Sequence, residues 1–169
     1  MDKRWVLIII IAIIGLGSMY LVIENSTTVG SAISTFGKTT ITLPEGFSVE
    51  KSDDASLELY NKHSNETIDI YDLGKENYPR EELINLTLLY QDIEDYDKVS
   101  NMTHKKINNI TVYQVQMSNE NKTDIHSSFY YHNHDYIVSM NNYKDMKKLE
   151  KDLEFIICTM HPDYKQSQN

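Results

Sequence analysis

Residues 5–23 carry no charge, and beyond them the chain changes to short runs in which apolar and polar positions alternate. The first run, WVLIIIIAIIGLGSMYLVI, is about as long as an apolar helix must be to cross a bilayer core. Trp5 and Tyr20 sit near its ends, where amphipathic rings favour the membrane interface. Lys3 and Arg4 precede it and Glu24 follows it. Basic flanks stay on the cytoplasmic side, so the pattern predicts a single-pass anchor with its N-terminus inside and the remainder outside. A cleaved signal peptide is the competing reading, with Gly15-Leu16-Gly17 as a small-x-small cleavage signal. The apolar run continues past Gly17 through Met19, Leu21, Val22 and Ile23, which favours the uncleaved anchor. Both readings export the rest of the chain.

Residues 24–38 are mostly small and polar and are expected to form a stem. From Thr39 strand signals begin. Thr39, Ile41 and Leu43 share one face, Pro44-Glu45-Gly46 interrupts the strand, and Phe47 and Val49 resume it. Leu57 and Leu59, then Ile68 and Ile70, alternate with polar residues on either side of a His63-Ser64-Asn65 connection, which predicts a half-buried hairpin. Pro79 stands where a helix can start, with Glu81 and Glu82 in its first turn. Leu83, Leu86, Tyr90 and Ile93 then recur at helical spacing and are expected to face the sheet. Ile84 and Leu88 fall on the opposite side of that helix as a candidate contact surface. Further strands follow, with turns at Asn108-Asn109, at residues 118–122 and at Asn133-His134-Asp135. Asp145 opens the last helix, Met146, Leu149, Leu153, Ile156, Ile157 and Met160 keep its period, and Pro162 stops it.

The predicted fold class is therefore α+β: an antiparallel sheet of about six to seven strands covered by two helices and preceded by one transmembrane helix. The expected divisions are 1–23 for the cytoplasmic N-terminus and anchor, 24–38 for the stem, 39–162 for the folded domain and 163–169 for a flexible tail. The ITLPEGFSV run at residues 41–49, the hairpin after it, the middle helix, the strand meander and the closing helix resemble the PsbP-like family. The resemblance spans roughly residues 39–162. It implies a PsbP-like fold. That family's membrane-anchored prokaryotic members look like accessory or binding domains. No ligand residues carry over, and because the family's roles are diverse the resemblance implies a fold and no activity.

Charge narrows the partners. The net charge is −9, and Asp2, Lys3 and Arg4 together contribute +1, so −10 falls on the remainder. Such a surface repels phosphate backbones and anionic lipid heads, which argues against nucleic acid. The anchor, the family resemblance and the absence of catalytic motifs make another envelope or membrane protein the expected partner. Cys158 is the single cysteine, so no internal disulfide forms; in an apolar helix it is expected to behave as a small buried hydrophobe.

Chemistry is sparse. No nucleophile elbow, phosphate loop or dinucleotide fingerprint occurs, so no catalytic residue and no cofactor is assigned and the expectation is a protein that is not an enzyme. The acidic run at residues 92–97 lacks the glycine and glutamate of a calcium loop, since Asp97 and Thr103 occupy those positions. His132, His134 and Asp135, close together at a turn, are the one candidate site for a divalent metal, and with them an exported small-ligand or metal-handling domain is the alternative function. Six Asn-x-Thr triplets begin at Asn25, Asn65, Asn85, Asn101, Asn109 and Asn121 and mark candidate glycosylation sites in an exported glycoprotein. Tyr130, in the tyrosine cluster around the last hairpin, joins Ile84 and Leu88 as a candidate contact residue.

Overall fold

The structure, a computed structural model, describes residues 32–89 and 95–163. The predicted anchor, Asn25, Tyr90, Ile93 and the tail lie outside these residues. Among the described residues no helix is long and apolar enough to cross a membrane.

In chain order the elements are β1 (Ile33–Phe36), β2 (Thr39–Thr42), β3 (Ser48–Ser52), β4 (Ser56–Asn61), β5 (Glu66–Asp72), α1 (Arg80–Leu89), β6 (Lys98–Val99), β7 (Thr103–Ile107), β8 (Ile110–Ser118), β9 (Thr123–Tyr131), β10 (His134–Tyr143), α2 (Met146–Thr159) and β11 (His161–Pro162). The main sheet has eight strands in the order β3-β4-β5-β10-β9-β8-β6, with β7 also paired to β8. A small sheet, β1-β2-β11, has three. The described pairings are all antiparallel. The α+β antiparallel architecture is thus as predicted, with more strands than the pattern suggested.

Two of the extra strands are short edges. β1 lies inside the segment expected to be stem: it pairs with β2 through Gly37 and Lys38, so the folded unit begins before Thr39. Gly37 adopts φ +53, and a Cβ there would approach the Asp54 carbonyl oxygen to 2.2 Å. Only glycine combines that conformation with that contact. β11 forms because Pro162 ends the helical course and turns the chain onto β2, where His161 pairs with Thr40.

The sheet has two unlike faces. Pleating sends Leu57, Leu59, Ile68, Ile70, Val138 and Met140 to one side, and all six are fully buried there. Helix α2 covers this side with Leu149, Leu153, Ile156 and Ile157. Asp145 caps its start, accepting from the Lys147 N–H at 2.9 Å. Thr39 Oγ1 meets the Tyr136 hydroxyl at 2.9 Å in the same core and ties the small sheet to the large one. Cys158 is not buried as expected: it is exposed, because Ile156 and Ile157 take the inward positions and the next residue turns outward.

The second face is narrower in apolar content. Helix α1 packs on β8 and β9, and Ile84, Val115 and Met117 form a separate small core with Leu88, Met102 and Tyr113 against it. Ile84 is therefore not a free contact residue: it is 1% exposed, and Leu83 and Ile84 together face the sheet. Leu88 is half-buried on the same cluster. Leu83 is buried as predicted, and Ile84 joins it because this ten-residue helix has apolar residues on several sides.

The two sides of α2 supply a test. Leu153→Ala is expected to lower unfolding stability in urea by about 3 kcal/mol, whereas Cys158→Ser is expected to stay within about 0.5 kcal/mol of the parent. Equal losses from the two would contradict the packing described.

Candidate functional site

On the α1 side of the sheet the pleat brings polar groups inward. Five strands align Lys51, Glu58, Asp69, Ser139 and His126 in one row, each opposite the next. His126 is fully buried and its Nδ1 lies 2.8 Å from Ser139 Oγ. Burial pushes its pKa below the ordinary imidazole value, with the Asp124 charge pulling the other way. Asp69 accepts from Asn141 Nδ2 at 3.2 Å, and burial first, then the Glu58 charge, push its carboxyl up to about 6. This row is not a nucleophile relay. A relay needs the imidazole between hydroxyl and carboxylate, whereas Ser139 stands between His126 and Asp69.

One end of the face is more open, and there the charged groups are tied down. Asp135 is fully buried and forms an ion pair with Arg80 Nη2 at the start of α1. Its second oxygen accepts from the Tyr78 N–H at 2.9 Å. The strand backbone joins in: Leu73 N–H donates to the Asp135 carbonyl, and the Asp135 N–H donates to the Gly74 carbonyl, both at 2.8 Å. The guanidinium also lies 5.7 Å from the Tyr130 ring centre. Around this buried pair stand Leu73, Tyr78 and Tyr130, which are 37–40% exposed, and Tyr71 is 37% exposed on β5.

Beside Tyr130, between the turns at Asn108-Asn109 and His132-Asn133, lies a recess of about 460 Å³. Arg80, Tyr113, Tyr130 and Tyr131 form its walls, and Asn108, Asn109 and His132 its rim. Asn108, Asn109, His132 and Asn133 all have positive φ, from 46° to 65°, as tight two-residue hairpin turns require.

These turns also revise the metal prediction. His134 and Asp135 are not turn residues: the turn is His132-Asn133, and β10 begins at His134. As successive strand residues they point to opposite faces of the sheet. His134 Nδ1 lies 2.7 Å from Asp72 Oδ1, Asp135 is held by Arg80, and His132 is exposed at the tip. The three therefore do not converge. Among the described residues no group of three or more metal-ligating side chains comes together.

The other predicted sites fall as follows. Asn65, Asn85, Asn101, Asn109 and Asn121 are all exposed, so each acceptor nitrogen has solvent access. Tyr130 is exposed as expected of a contact residue, in contrast to Ile84. Arg80, Tyr78, Asp72, His126 and Ser139 carried no recognisable local signal. Their partners lie 13 to 62 residues away in sequence.

Comparison with known proteins bears on the fold alone. No protein-family model matches the chain, and no curated protein does. A crystal structure from Bacteroides thetaiotaomicron matches 79% of this chain at a TM-score of 0.50 and 14% identity. This chain spans 48% of that one, about half its length. The solution structure of cyanobacterial PsbP (CyanoP) from Synechocystis matches 82% of this chain and 97% of its own, at a TM-score of 0.48 and 10% identity.

Asp69 gives the site a pH signature. Its folded pKa exceeds the ordinary value of 3.8, so the fold favours the protonated form; that contribution is complete below 3.8 and is lost as pH rises through about 6. Asp69→Asn carries no charge at any pH. It is expected to melt above the parent at about pH 8 and together with it at about pH 4. A variant less stable than the parent at the higher pH would contradict the assignment.

Proposed function

We propose that this chain is a membrane-anchored, extracytoplasmic accessory domain, without catalytic activity, that contacts another envelope or membrane protein through the end of its sheet around Arg80 and Asp135. One observation carries this reading: Leu73, Tyr78 and Tyr130 stand exposed around a buried ion pair, and Leu73 and Tyr78 bond to Asp135 through their backbone N–H groups. Protein interfaces draw their energy from such groups, because tyrosine and arginine supply large contact area together with polar ends. Side chains on fixed backbone also lose little freedom on binding. The uncharged run at residues 5–23 and its basic flank supply the anchor and its direction. A net charge of −9 keeps the domain off nucleic acid and off anionic lipid, which leaves the tyrosine surface free for a protein.

The test is site-directed photocrosslinking in native membranes. A photoreactive amino acid at position 71 or 78 is expected to give one reproducible adduct, and the same probe at Glu150, exposed on the outer side of α2, none. Silence at both sheet positions, or the same adduct from position 150, would overturn the reading.

A further inference from the structure

The recess beside Tyr130 shares Arg80 and Tyr130 with the protein contact but not Tyr71, Leu73 or Tyr78. We propose that it binds a neutral saccharide segment of an extracytoplasmic glycan. The proposal rests on the exported orientation of the domain, and not on the protein contact.

The first argument is the lining. Tyr113 and Tyr130 bring two aromatic rings to one recess, while Tyr131, the next strand residue, points to the other face, where its ring packs on the main core. The C–H face of a pyranose lies flat on such a ring, and each tyrosine adds a hydroxyl at the edge. The rim of Asn108, Asn109 and His132 offers carboxamides and an imidazole. Each of these groups both donates and accepts hydrogen bonds. Sugar hydroxyls also do both, so the match is in kind.

The second argument is charge. The one fixed cation in the lining, Arg80, is already neutralised by the buried Asp135. An anionic ligand would find no uncompensated positive charge there, and it would approach a chain of net charge −9. A neutral ligand meets neither obstacle. Arg80 Nη1 is a buried donor with no acceptor among the described residues.

The third argument is rigidity and size. The rim residues sit in two-residue turns of fixed left-handed geometry, which orders them before a ligand arrives. A volume of about 460 Å³ falls within the range of small-ligand sites.

The experiment uses the full chain in a detergent that has no sugar headgroup. It is produced in a host that does not glycosylate Asn109, because a glycan on that residue would cover the rim. Saturation-transfer NMR and calorimetry are run with maltohexaose, cellohexaose and chitohexaose as probes. At least one is expected to bind, unchanged by 0.5 M salt. Tyr113→Ala and His132→Ala are each expected to weaken it at least tenfold, and Tyr78→Ala to leave it unaltered. Should Tyr113→Ala fail to fold, the exposed tip residue His132 carries the test alone. Failure of all three probes, binding that survives both substitutions, or binding abolished by salt would overturn the proposal, as would a recess that takes only peptides. Saccharide loss with photocrosslinks from positions 71 and 78 intact sinks this proposal alone. The reverse pattern sinks only the protein contact.

Discussion

Asp135 is a carboxylate held wholly out of water on a central strand, and Arg80 is what compensates it. Taking either charge from water costs several kcal/mol, so the pair persists only where further hydrogen bonds satisfy it. The Tyr78 N–H supplies one to the carboxylate, and the Asp135 backbone exchanges bonds with Leu73 and Gly74. One strand residue thereby fixes the whole passage from the end of β5 to the first turn of α1. Tyr78 belongs to that passage, and Arg80 at its end joins it to the Tyr130 ring and to the recess.

The division of labour between the two faces follows from the pleat. The side under α2 is almost wholly apolar, and its burial supplies the hydrophobic driving force for the domain. The side under α1 is then free to carry His126, Ser139, Asp69 and Asp135 at some cost in desolvation. That cost is visible in the raised carboxyl of Asp69 and the lowered imidazole of His126. Protonation of a buried imidazole works against the fold, so His126 lowers stability as pH falls below its ordinary value of 6.5, opposite in direction to Asp69.

What the sequence made legible was the alternation. A period of two residues picked out Leu57, Leu59, Ile68 and Ile70 as one apolar face, and the helical period picked out the buried side of α2. Asn108-Asn109 is a turn in both sequence and structure, because asparagine tolerates positive φ. Three features escaped for physical reasons. The hairpin at Gly37 was read as stem, because the four-residue strand before it is too short to show a pattern. Ile84 was misplaced because apolar residues nearly encircle α1, so its packing was decided by the sheet and not by the helix. His134 and Asp135 looked like neighbours at a turn, whereas a shift in the start of β10 turns them to opposite faces. Their partners, Asp72 and Arg80, are 62 and 55 residues away, and no local pattern announces such pairs.

The measurement closest to the centre of this account is hydrogen exchange on Arg80→Met beside the parent chain. If the ion pair fixes the functional end, amides in residues 73–80 and at the facing ends of β9 and β10 exchange faster, while those of α2 keep their protection. Exchange unchanged in residues 73–80, or raised evenly across the domain, would contradict it.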